Sequence, residues 1–271
     1  MSTVARRAAA AVLVALLLFP LLWMTLASLR PDARLFGGSL PGSAQQLSVA
    51  HYEALFEERG FAQPIRNSLV VAGLTTLVTL PVATLCAYAL ARLRLRGQAA
   101  LLGFLLAVSM FPQISVVGPL YLMLREVGLI NTYPGLVLPY VTFATPLAVW
   151  LLTGFFRQLP RDLEEAALID GASRLRALRD IVLPLAAPGI ASTAILTFLY
   201  CWNEFLFALS FTLGPERHTV PVAIALFRGR YQVPWGQVLA AAVIATIPVA
   251  LVVLAFQRRI VAGLTAGAVK G

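Results

Sequence analysis

The stretch Leu163–Pro184, "LEEAALIDGASRLRALRDIVLP", decides how the rest of the chain is read. Glu164, Glu165, Asp170, Arg174, Arg176, Arg179 and Asp180 crowd into it, in a sequence where only 12% of residues are charged. Long apolar runs lie on both sides. "RQLPRD" precedes it, and Pro160 ends the helix before. Asp162 suits an N-cap, with Glu165 three places on in the capping-box position. Glu164 and Glu165 lie in a first turn, where negative charge favours the helix dipole. A short helix is expected through Ala166, Ala167, Leu168 and Ile169. Gly171 stops it in a left-handed conformation that costs glycine little. Ser173 caps a second short helix, Arg174 to Leu183, on which Leu175, Leu178, Ile181 and Val182 share one face. Pro184 sits where the chain turns into the next apolar run. Residues 160–184 therefore read as a helix–turn–helix elbow whose apolar positions need a partner surface.

The flanking runs explain where such an elbow lives. Of 271 residues, 59% are hydrophobic, above the share usual in a soluble domain. The apolar residues gather into runs at about 8–29, 68–91, 99–124, 133–156, 185–209 and 237–257. Each reaches roughly the 20 residues that cross a bilayer. Lipid offers the backbone no hydrogen-bond partners, so the runs must be helical. The expected fold is all-α, a polytopic membrane protein of six transmembrane helices forming a single domain over 1–271. Pro20, Pro81, Pro112, Pro119, Pro139, Pro146 and Pro248 fall within the runs and are expected to kink them.

A net charge of +9 raises the question of nucleic acid, but its distribution points to topology instead. Arg92, Arg94 and Arg96 crowd the short connection between the second and third runs. The turn between the third and fourth carries only Arg125, beside Glu126. Arginine-rich connections face the cytoplasm, which puts both termini there. Arg6-Arg7 precede an apolar run of about 22 residues. It is longer than a signal-peptide core and has no small-x-small site, so an uncleaved first span is expected. Cys86 and Cys201 lie within runs and read as small packing groups. In the outer segment 30–67, "VAHYEALFEERGF" has the pattern of a short amphipathic helix lying on the outer surface. In 210–236, Tyr231 and Trp235 suit the membrane interface.

The elbow carries a family signature. Glu165-Ala166-Ala167, three residues to Gly171, nine more, then Ile181-x-Leu183-Pro184 resembles without a gap the EAA loop of binding-protein-dependent ABC importer permeases. "NSL" at Asn67–Leu69, "WNEFLFAL" at Trp202–Leu209, "TVPVAIALFRGRY" at Thr219–Tyr231 and the C-terminal "GLTAGAVKG" resemble the carbohydrate branch, in particular the smaller six-span permease subunit of maltose-type transporters. The resemblance covers essentially the whole chain. It implies that Glu165, Ala166, Ala167, Asp170, Gly171, Ile181, Leu183 and Pro184 couple the membrane domain to an ATPase. The implied partners are a second homologous permease, two ATP-binding subunits, an extracytoplasmic solute-binding protein and a sugar, in a bacterial inner membrane. ATP would be used by the partner, with no cofactor held directly. Consistent with that, the chain has no GxxxxGK[ST] phosphate loop, no Ser-His-Asp or zinc-ligand constellation, and only His51 and His218.

Glu204 is the one acidic residue placed within a run. It stands in "YCWNEFLFA" with Tyr200, Trp202 and Asn203. Ionisable groups in membranes face the bundle interior and mark pathways, so these four are candidates for the substrate path. Glu204 lies about 19 residues into its run, roughly 28 Å of rise and close to the outer interface. A polar helix end bonded to a neighbour is the alternative. An ion-coupled secondary transporter would want midplane carboxylates or inverted repeats, and neither is present. A permease for a non-sugar solute and a non-transporting scaffold are further alternatives.

Overall fold

The computed structural model describes residues 3–31, 47–93, 95–227 and 233–266. The expected interfacial Tyr231, and the end of the C-terminal glycine-rich stretch, lie outside them. Every regular element among the described residues is a helix: α1 (Thr3–Ser28), α2 (Ala50–Glu57), α3 (Ala62–Arg92), α4 (Gln98–Ser109), α5 (Gln113–Glu126), α6 (Tyr133–Gln158), α7 (Asp162–Ile169), α8 (Arg174–Ala177), α9 (Leu183–Trp202), α10 (Leu206–Phe211), α11 (Val220–Ala225) and α12 (Trp235–Ala266). By length and composition, five helical segments can cross a membrane, and α4 with α5 makes a sixth if the pair is one span.

The centre of the bundle is α3, packed along α6 and α9, with α12 against α9 and α1 against α12. Small residues permit close approach of helix backbones: Ala83, Ala87 and Ala148 have almost no exposed surface. Toward the elbow, Leu90, Val149, Leu152, Phe156, Leu178 and Val182 form one buried cluster. At the other end, Val71, Leu136, Tyr140, Phe207, Phe211 and Val222 form a second. Thr76, Thr145, Thr153 and Thr193 donate to carbonyls four residues back in their own helices, which satisfies hydroxyls that lipid cannot.

Three expected elements take a different form. The third run is not one straight span: α4 and α5 meet at 82°, with Pro112 in extended backbone at the start of α5. A proline lacks the N–H that would bond back into the preceding helix and its ring crowds that turn, which favours a break there. The fifth run ends at Trp202 rather than near 209. Asn203 closes α9, and α10 resumes after a break at 203–205. The amphipathic segment is helical but docked: Leu55 has no exposed surface, and Tyr52 Oη shares a 2.6 Å hydrogen bond with Ser28 Oγ. Trp235 is about half exposed.

Candidate functional site

The first turn of the elbow is built differently from a capping box. Asp162 is already helical, Arg161 precedes α7 and no side chain caps it. The backbone N–H groups of Glu164 and Glu165 donate to the Arg161 carbonyl instead. The end of α7 is a Schellman motif. Gly171 has φ +87°, its N–H donates to the Leu168 carbonyl at 3.2 Å, and the Ala172 N–H donates to that of Ala167 at 2.9 Å. Ser173 Oγ accepts the Arg176 N–H at 3.3 Å and caps α8. The second helix does not stop before Pro184. It widens into a π-turn, Leu178–Val182, in which the Leu183 N–H reaches the Leu178 carbonyl. It then runs on as α9 with Pro184 in the first turn, so elbow and span are one continuous rod. Leu178 and Val182 point inward, whereas Leu175 is 68% exposed; four residues make too wide a stripe for all to reach the core.

The acid that turns inward is Glu164. It is buried, accepts a 2.5 Å hydrogen bond from Tyr88 Oη and lies 3.5 Å from Arg92 Nε. Arg92 Nη2 donates to the Leu159 carbonyl at 3.0 Å. A buried carboxylate is tolerated only when paired and hydrogen-bonded, and both partners come from α3. With Glu164 drawn inward, Glu165, Ala166, Ile169, Asp170 and Gly171 face outward and exposed. Ile169 is 85% exposed. Ile181 and Leu183 are half-buried, and Pro184 is exposed. Sequence reasoning had no sign that Glu164, rather than Glu165, would be the anchor; Tyr88 and Arg92, four apart at the end of a helix, are the only hint.

The residues around Glu204 separate. Tyr200, Asn203 and Glu204 line a cavity of about 610 Å³ with Gln113, Leu196, Leu199, Phe205 and Leu206. Trp202 points away, buried among Leu55, Phe61, Val220 and Ala240 and stacked on Phe198. Glu204 is buried, and its carboxylate accepts the N–H groups of Phe207 at 2.8 Å and Ala208 at 3.1 Å. It thus caps the start of α10, where free N–H groups and the dipole favour an acid. Asn203 Nδ2 donates to the Leu199 carbonyl. Gln113, absent from the sequence-based set, comes from the bend between α4 and α5 and donates to Tyr200 Oη at 2.5 Å.

A helical bundle with an exposed EAA elbow can be compared with known families. Residues 79–265 match the family described as binding-protein-dependent transport system inner membrane component. The chain belongs to that family. It is a multi-pass membrane permease. Among its relatives is the trehalose/maltose transport system permease protein MalG of Thermococcus litoralis, 45% identical over 96% of this chain and 95% of that protein. The trehalose transport system permease protein SugB of Mycobacterium tuberculosis is also 45% identical, over 94% and 93%. The sulfoquinovosyl glycerol transport system permease protein SmoH of Agrobacterium fabrum is 40% identical, over 97% and 92%. A crystal structure of a bacterial ABC transporter that imports alginate has a chain of the same fold, with TM-score 0.77 and 21% identity over 94% of this chain and 95% of that one.

Proposed function

We propose that the protein is one of two permease subunits of an ATP-driven importer for a sugar or oligosaccharide. Two ATP-binding subunits dock beneath it and an extracytoplasmic solute-binding protein delivers substrate above. The observation that carries this reading is the exposed face of the elbow. Glu165, Ala166, Ile169 and Asp170 surround a tight turn at Gly171, with Ile169 uncovered. With Leu163 and Leu175 also exposed, the elbow carries several uncovered apolar side chains, and we read them as a contact surface. Small alanines leave room for a partner to approach closely. The arginine distribution puts this face, and both termini, in the cytoplasm, where ATP is available. ATP then stays with the partner, and the permease converts closure of the ATPases into an outward-opening cavity.

The sugar assignment draws on the relatives named above for trehalose, maltose and sulfoquinovosyl glycerol. The cavity beside Glu204 fits it: the Gln113 and Asn203 amides and the Tyr200 hydroxyl offer hydrogen bonds, and the Tyr200 and Phe205 rings offer apolar faces. Affinity purification of a tagged permease from its native membrane is the test. A second permease and an ATPase should co-purify, and uptake should require all of them. Uptake by this chain alone, driven by an ion gradient, would contradict the proposal.

A further inference from the structure

We propose that α3 is a strut that carries displacement of the elbow to the outer loop 212–219, with Tyr88, Arg92 and Glu164 fixing one end and Asn67 and Ser68 the other. The inference rests on the elbow being the ATPase dock.

At the inner end, Tyr88 and Arg92 of α3 hold Glu164 of the elbow. Tyr88 Oη also lies 3.4 Å from the Arg174 carbonyl, so both elbow helices touch one side chain of α3. At the outer end, Asn67 is fully buried and uses its whole amide. Its Nδ2 donates to the carbonyls of Glu216 at 3.0 Å and His218 at 2.8 Å. Its Oδ1 accepts from Tyr133 Oη at 2.7 Å and Gln63 Nε2 at 3.0 Å. Ser68 Oγ accepts the Val220 N–H at 2.8 Å. The two fixings are 21 residues apart, roughly 32 Å of helix and about the thickness of the hydrocarbon core.

Between them α3 is one continuous helix despite Pro81. The residues around Pro81 are gripped, since Thr79 and Ala83 have no exposed surface. Buried hydrogen bonds are costly to leave unmade, so the fixings hold while the helix moves. The loop in turn follows α10 directly: the Thr212 N–H bonds the Ala208 carbonyl, and α10 is the helix that Glu204 caps beside the cavity. A shift at the elbow thus reaches the cavity wall through α3, the loop and α10. Tyr88 and Arg92 act as positioning residues in this chain of contacts.

The test uses the complete importer, both permeases with their ATPases in nanodiscs, and reads how far a sugar-loaded binding protein stimulates ATP hydrolysis. Tyr88→Phe, which removes only the hydroxyl, and Asn67→Ala should each lower that stimulation roughly fivefold. Combined, they should do no more than the worse single change, because a strut released at one end transmits nothing further to lose. Glu164→Gln still accepts from Tyr88 but leaves the buried Arg92 guanidinium without its counter-charge, so it should lower the stimulation as well. Ser68→Ala serves as the outer variant if Asn67→Ala is not recovered as an intact complex. Losses that multiply in the double variant, as for independent distant sites, would overturn the strut, as would parental stimulation in both single variants. Failure of Tyr88→Phe to retain its ATPases would also overturn it, since the contact would then serve assembly. Cross-linking of Ile169→Cys to the ATPase in an otherwise parental importer checks the docking reading separately: no cross-link removes the dock, whatever the double variant does.

Discussion

The carboxylate of Glu204 lies 2.8 Å from the backbone nitrogen of Phe207 and closes the first turn of α10. The residue singled out from sequence as a mark of the path is therefore also a cap, and the two roles predict different variants. Glu204→Gln keeps an acceptor oxygen for that turn and should cost little stability. Glu204→Leu leaves the Phe207 and Ala208 N–H groups unpaired and should destabilise the permease by about 1–3 kcal/mol. Thermal unfolding of the purified complex reads this difference. Equal melting of both variants would show that the cap contributes nothing.

Asn67 should matter as much to stability as any core side chain. Asn67→Ala takes the side-chain donor from the His218 carbonyl and leaves the Glu216 carbonyl only Gln63 Nε2, again at about 1–3 kcal/mol. Asn67→Asp should be no better, because a carboxylate cannot donate to those carbonyls. A melting temperature for Asn67→Asp equal to the parent's would contradict the bonding described here.

The outer loop should weaken in mild acid. Burial pushes the His218 imidazole below its ordinary value of 6.5, against the opposing pull of the Glu216 charge. The folded loop therefore binds fewer protons than the unfolded chain just below that value. Stability contributed there is present above 6.5 and is lost as pH falls through the depressed pKa. Hydrogen exchange at residues 212–219, followed from neutral pH downward, should show the loosening, and His218→Asn should flatten it. Glu216 does not cause it: its bond from Asn131 holds its carboxyl below the ordinary value of 4.5, so its loss comes at lower pH.

How much of this was legible in the sequence depends on whether the signal was local. The end of α7 and the start of α8 were readable because Gly171 and Ser173 satisfy backbone groups within a few residues of themselves. The spans were readable because apolar length is a local property. The capping box at Asp162 and Glu165 was not realised, because Tyr88 and Arg92, far away in sequence, draw Glu164 inward and fix the rotation of α7. The break at Asn203–Phe205 was hidden because the apolar run resumes at once from Phe205, so the polar pair Asn203-Glu204 read as part of one span rather than as the cap of a new helix. The bend at Pro112 could not be singled out: Pro81, Pro139 and Pro146 sit in equally apolar runs yet lie inside continuous helices.

Topology can be read at two exposed positions on opposite sides. In a background with Cys86 and Cys201 replaced, Leu213→Cys, 67% exposed in the structure, should label with an impermeant maleimide added outside intact cells. Ile169→Cys should label only after permeabilisation. Labelling of Ile169→Cys from outside would invert the orientation and remove the elbow from the cytoplasm.

The most direct measurement is ATPase retention on Gly171→Asp. A side chain at Gly171 meets no atom of this chain within 4 Å, and the strain of a non-glycine residue at φ +87°, on the order of 1 kcal/mol, is too small to unfold the bundle. The variant should fold and insert normally while placing bulk and charge on the exposed turn of the elbow. Tagged Gly171→Asp permease, solubilised in detergent, should bring down little ATPase and support little uptake. Arg174→Ala, which keeps the carbonyl near Tyr88, should behave like the parent. Retention of the ATPase with parental uptake by Gly171→Asp would contradict the coupling role of the elbow.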